Sequence, residues 1–135
     1  MNYSFEINQA PVPQARPRVT KWGTYDPKAK EKKQFKTEIR EKWPHSLLNG
    51  PLRVDMTFVM PIPKSLSEVK KRALRGKPHI KKIDLSNIYK FIEDCMTDIV
   101  YEDDSLIWDI KIKKIYGINP KIFVMLETTE DQEPL

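Results

Sequence analysis

The spacing of apolar positions changes several times along the chain, and each change marks an element. Tyr3, Phe5 and Ile7 alternate with polar residues, the two-residue period of a half-buried strand. Leu52, Val54, Met56, Phe58 and Met60 repeat that period, so LRVDMTFVM predicts a second strand with one buried face. Between them Phe35, Ile39 and Trp43 are four apart, one stripe of a helix that Asp26-Pro27 can open with an N-cap and a first-turn proline and that Pro44 ends. A second long helix is predicted from Asp84, an N-cap candidate, through LSNIYKFIEDCMTDI, whose Leu85, Ile88, Phe91, Ile92, Cys95, Met96 and Ile99 keep helical spacing. Alternation returns in SLIWDIKIKKIYG, at Leu106, Trp108, Ile110 and Ile112, and KIFVMLE reads as its hairpin partner across Asn119-Pro120. Strands near 3–8, 52–60, 105–116 and 120–127, with helices near 27–43 and 84–99, predict an α+β fold: a single two-layer domain in which helices cover a mixed four-stranded sheet.

Three stretches follow neither period. APVPQARPRVTKWGTYDP is rich in proline and cations and reads as a loop. Its Arg16, Arg18 and Lys21, mixed with Trp22 and Tyr25, suit backbone phosphates and unpaired bases; the alternative is an ordinary surface loop with Trp22 folded onto the core. SEVKKRALRG reads as a short basic helix ended by Gly76, followed by an extended basic connection through His79, Lys81 and Lys82. TTEDQEPL is polar, so a folded domain over 1–127 and a tail over 128–135 are expected.

Length and composition narrow the class of protein. The 135 residues fall within the roughly 100–200 typical of one domain. No apolar run approaches the ~20 residues of a membrane helix. No basic leader with an apolar stretch opens the chain, so a cytoplasmic location is expected. Cys95 is the one cysteine, which rules out an internal disulfide; among helix-patterned apolar residues it is expected to be a buried structural thiol.

Charge changes the picture more. Residues 1–82 carry a net +12, residues 83–104 a net −6 and residues 105–135 a net −1. A basic surface attracts polyanions, nucleic acid first among them, because phosphate contacts release condensed counterions. The seven carboxylates between Lys81 and Ser105 would repel the same partner unless something neutralised them, and the usual agent is a divalent cation on oxygen ligands. On charge alone a plainer reading competes, in which Glu93, Asp98 and Glu102 solvate a helix face while Asp84 caps its start. Helical spacing puts Asp84, Asn87, Lys90 and Asp94 roughly along one side. Asp103 and Asp104 lie beyond the helix end and would join Asp84 in a carboxylate cage for Mg2+ only if the chain folded back, as a strand antiparallel to the helix would make it do. Lys90 would then contact the scissile phosphate or stabilise a leaving group.

KKIDLSNIYKFIEDCMTDIVYEDDSLI, with QARPRVTKWGTYDP upstream and MPIPKSLSEVKKRALRGKPHIKK between, resembles the RusA-type Holliday-junction resolvases of bacteria, prophages and phages, from about Tyr3 to Leu126. The resemblance implies a homodimeric endonuclease, dependent on Mg2+ with Mn2+ as a substitute, that cuts four-way DNA junctions by paired symmetric nicks in recombination and repair. It implies catalytic roles for Asp84, Lys90 and Asp104, a metal held by Asp84, Asp94, Asp103 and Asp104, and a DNA contact from Asn87, with His79 where related sequences often have a histidine; the basic Arg16, Arg18, Lys21, Lys81 and Lys82 are expected to contact DNA beside them. The commonest family pattern has Asp-x-Asp-Asn where this chain has Asp84-Leu85-Ser86-Asn87, so Ser86 stands at a metal-ligand position with a neutral oxygen. That departure keeps a second expectation open: a branched-DNA-binding protein with a degenerate metal site. His45, after Pro44, is expected only to act as a charge partner at a helix end.

Overall fold

The computed structural model describes residues 1–129. Four strands, β1 (Asn2–Ile7), β4 (Leu52–Pro61), β5 (Ile107–Gly117) and β6 (Lys121–Thr128), form one sheet in the order β1-β6-β4-β5. β6 runs antiparallel to both β1 and β4, whereas β4 and β5 are parallel. The expected class is therefore present, a mixed four-stranded sheet with helices packed on it. The predicted hairpin between β5 and β6 is not. β4 lies between them, because its alternating face, buried from Leu52 to Met60, needs an ordered neighbour on each side. β5 is left at the sheet edge, and there Trp108 and Ile110, expected on an alternating apolar face, are about half exposed. Trp108 falls where the β4–β5 register shifts, and the Arg53 guanidinium covers its ring at 5.1 Å from the centroid.

Helices α1 (Ala29–Lys42) and α3 (Leu85–Met96) pack on one face of the sheet, where Phe35 meets Phe91 edge-on at 5.1 Å. Their stripes, Phe35, Ile39 and Trp43 from one side and Ile88, Phe91, Ile92, Cys95 and Met96 from the other, close the core over Val54, Met56, Val124 and Leu126. Cys95 is fully buried, and burial pushes its thiol up to about 12, as suits an inert structural group. His45 joins no helix end; its ring packs between Tyr3 and Trp43, at 4.9 and 4.8 Å.

Helix α1 starts two residues later than Asp26-Pro27 suggests. The Asp26 carboxylate instead accepts from the Lys28 amide at 2.8 Å and pairs with Lys32 at 2.6 Å, which lowers its pKa. Within the stretch predicted as loop, β2 (Arg18–Thr20) and β3 (Gly23–Tyr25) form a small separate hairpin. The basic helix α2 (Glu68–Leu74) is present and buries none of its residues; the Ser67 hydroxyl caps it. Thr128 closes β6 by donating its amide to the Met1 carbonyl, and residues 130–135 of the predicted tail lie outside the described residues.

Candidate active site

Helix α3 carries the chemistry because only one side of it is needed for the core. Ile88, Tyr89, Phe91, Ile92, Cys95 and Met96 are buried, which leaves Ser86, Asn87, Lys90, Glu93 and Asp94 along an outer strip. Asp84 occupies the N-cap with extended backbone, but its carboxylate takes no capping hydrogen bond from the helix; the capping acceptor is its backbone carbonyl, which receives the Asn87 and Ile88 amides. The expected use of Asp84 as a side-chain cap is thus replaced by an exposed carboxylate at the helix start.

The chain folds back as the antiparallel arrangement requires. Thr97 ends α3, Asp98 reverses direction at a φ of 68°, and a single turn at Asp104–Leu106 feeds β5. Far along β5, Lys114 donates to the carbonyls of Lys81 and Ile83, at 2.8 and 2.6 Å, and so ties this strand to the approach to α3. The start of β5 therefore lies by the end of the helix, and the carboxylates meet there. Asp104 contacts Glu93 and approaches Tyr89, while Asp103 sits beside Asp104 and accepts from the Ser105 hydroxyl at 2.9 Å.

Electrostatics single out the Glu93–Asp104 pair. Partial burial holds the Glu93 carboxyl above the ordinary carboxylate range; Tyr89 pulls the other way, and the neighbouring Asp104 and Asp94 charges push it up again. The buried Tyr89 hydroxyl lies beside this carboxylate without a well-formed hydrogen bond, whereas Tyr101 donates to the Glu93 carbonyl at 2.8 Å. Asp103, fully exposed, is shifted down, chiefly by the Ser105 hydroxyl.

The four expected carboxylates do not form a cage. Among the described residues no three His, Cys, Asp or Glu side chains stand close enough to hold a metal ion together. Asp94 is turned to Gln14, which donates to it at 2.6 Å, and to Lys32 at 3.5 Å. Asp84 opens the helix about 13 Å along the axis from Glu93, nine residues at ~1.5 Å each. The pair that does meet, Glu93 with Asp104, offers donors that could hold a divalent cation: hard oxygen ligands, an unfavourable like-charge contact and partial exposure. Mg2+ is held by one or two carboxylates, its remaining positions going to water and phosphate oxygens. Glu93 was missing from the expected metal ligands, and the plainer reading placed it on a solvated face. Its signal was position, one turn beyond Lys90 and two turns beyond Ser86, on the strip that lacks the second aspartate.

The DNA-contact candidates separate. Arg16, Arg18, Lys21, Lys81, Lys82, Asn87 and Lys90 are exposed. His79 is not. It is 9% exposed and packs tilted against Tyr116 at 4.7 Å, with Nδ1 buried and unpartnered; burial, then Lys114, lowers its pKa. Its ring serves the packing of the 76–79 segment along β5, a place that the basic sequence around it hid.

Comparison with known proteins gives the family of the chain. Residues 8–127 match the family of Endodeoxyribonuclease RusA, so most of the chain is covered. A protein of Bacillus subtilis (strain 168), the uncharacterized protein YqaN, is 31% identical over 132 residues, spanning 90% of this chain and 93% of its own length. Fold and family match together define the class as an α+β endodeoxyribonuclease. The chain belongs to the RusA endodeoxyribonuclease family, whose members act on branched DNA and generally depend on a divalent metal. No helix among the described residues is long and apolar enough to cross a membrane.

Proposed function

We propose that the chain is a Mg2+-dependent resolvase that cuts four-way DNA junctions by paired symmetric nicks and acts as a homodimer in DNA recombination and repair. The observation that carries this reading is the contact between Glu93 and Asp104 on the strip that also presents Lys90. In this reading Asp104 and Glu93 hold the cation with Asp103 as the carboxylate next to it, while Asp84 and Ser86, roughly 10 Å or more toward the helix start, lie outside its coordination sphere. A divalent cation bound there would neutralise phosphate charge and lower the pKa of a water. Lys90, one turn from Glu93, stabilises charge at the phosphate being cut, and Asn87 with Lys81 and Lys82 orients the strand. Arg16, Arg18 and Lys21 hold backbone phosphates beside it. A two-fold dimer would present two such sites in related orientations, as two symmetric nicks require.

The test is cleavage of a synthetic four-way junction with Mg2+, with Mn2+ and with EDTA. Paired nicks only in the presence of metal are expected. Asp104→Asn should abolish cutting, by at least about a hundredfold if a metal ligand is removed, and leave binding equal or tighter, because the amide removes a charge that repels phosphate. Tight junction binding with no nicks under any metal would favour the non-catalytic reading, with Ser86 in place of the second aspartate as its cause.

A further inference from the structure

The β2–β3 hairpin is built in a way the core does not explain. Every residue from Arg18 to Tyr25 is exposed, including Val19 at 81% and Trp22 at 87%. An isolated two-stranded hairpin is marginal in water, so this one depends on its tip and its base. At the tip the Thr20 hydroxyl donates to the Gly23 carbonyl at 3.0 Å and accepts from the Trp22 amide at 3.2 Å, while Gly23 turns the chain at a φ of 128°, where side chains are strained. These contacts fix the Lys21-Trp22 turn, and its exposed indole has the Lys21 ammonium 5.2 Å from its ring centre.

The base is tied to the site helix from both sides. On the incoming segment Gln14 donates its backbone amide to the Asn87 carbonyl at 3.0 Å and its side chain to Asp94. On the outgoing side Asp26 grips Lys32, which also reaches Asp94. Asp94, left out of the carboxylate pair, thus anchors the hairpin to α3. From that base the tip reaches outward by roughly 10 Å, three strand residues at ~3.3 Å each.

We propose that Trp22 is a stacking finger: its indole takes the face of an unstacked DNA base next to the strand held by α3, while Lys21 and Arg18 take the flanking phosphates. The inference rests on the nuclease reading for its strand. The chemistry itself requires only an exposed base face, found at a branch point or in single-stranded DNA. A lone surface aromatic would call for no explanation, but here the indole tops a turn braced by a hydroxyl and by a glycine in a conformation other residues adopt only with strain, with cations on the same turn and strand. Base–aromatic stacking is sequence-tolerant and needs such a flat, open ring beside phosphate-binding cations.

The experiment compares wild type with Trp22→Ala and Trp22→Phe on three DNAs: a four-way junction, a single strand and a linear duplex. Each is probed by affinity and by the fluorescence of 2-aminopurine placed at the branch point, in the single strand or within an arm. Trp22→Ala should melt as wild type does, bind the junction or the single strand roughly 5- to 100-fold more weakly, bind duplex unchanged, and lose the 2-aminopurine change; Trp22→Phe should recover most of both. Whether junction or single strand suffers more distinguishes the two sources of the base. Unchanged affinity, or an equal loss on all three DNAs with the 2-aminopurine change retained, would overturn the finger. Wild type that cuts junctions while Trp22→Ala binds them normally would overturn the finger alone. Wild type that stacks through Trp22 but never cuts would overturn the nuclease reading alone.

Discussion

At the scale of single residues, Glu93 and His79 both have pKa values shifted toward the neutral form, chiefly by burial. Glu93 has a raised pKa, so its contribution to stability is fully present below the ordinary glutamate range and is lost as pH rises through the folded value. At neutral pH the metal-free protein should therefore gain melting temperature on Glu93→Gln, and the gain should vanish on acidification to about pH 4. The same variant should gain less from added Mg2+, since a cation bound by Glu93 stabilises only the folded state. Equal melting temperatures at neutral pH would remove Glu93 from the pair. His79 has a lowered pKa, so its contribution is present above the ordinary imidazole range and is lost as pH falls through the folded value. Lys114 and Lys81 face the ring and add to the cost of charging it. Wild type should thus lose melting temperature between about pH 7 and pH 5, and His79→Phe, which keeps a ring on Tyr116, should lose less. An identical slope in both would place the titration elsewhere. Neither position was legible in the sequence: a histidine among lysines looks solvated, and a glutamate on a polar helix face looks idle, until the fold brings Tyr116 and Asp104 against them.

At the scale of elements, the periodic segments were legible because packing and pattern agree. β1, β4, α1 and α3 follow their apolar spacing within two or three residues. What failed was partnership. A short Asn119-Pro120 connection suggests that β5 and β6 pair, yet local turn chemistry cannot weigh the need of β4 for two neighbours. The β2–β3 hairpin was invisible for the opposite reason, since an element that buries nothing leaves no apolar period. The same crowding that puts β4 at the centre is felt at Gly117, the end of β5, where an added Cβ would run into Val59 Cγ1. Gly117→Ala should cost about 1–3 kcal/mol, measured by urea unfolding, because Val59 is nearly buried and must shift. Val59→Ala should relieve much of that cost when combined with it, a coupling that independent sites would not show.

Over the whole molecule, charge is distributed by function more than by fold. The strip around Glu93 and Asp104 is acidic, but much of the rest of the chain is cationic, the stretch around α2 included. Residues 61–83 hold eight Lys and Arg against Glu68 alone. Lys64, Lys71, Arg72 and Arg75 line a groove against Ile118 and Pro120, and among the described residues only Lys71 of these has a carboxylate partner, Glu68 at 3.5 Å. A helix that buries none of its side chains contributes little to the core, so its cations can be removed without unfolding the domain. Removing one cation from a phosphate should lower the slope of log affinity against log salt by about 0.9 on duplex DNA. Arg72→Ala with Arg75→Ala should therefore flatten the slope by up to about two if α2 lies along a DNA arm, and Arg16→Ala with Arg18→Ala should do the same from the hairpin side. The four changes together should add, because the two elements share no partner. Binding should weaken alike for any sequence, with junction and duplex affected together, which separates these phosphate contacts from a base-stacking contact at Trp22. A slope that moves for the hairpin pair and not for the α2 pair would confine the DNA to the α3 side of the molecule and leave the α2 groove for some other anion.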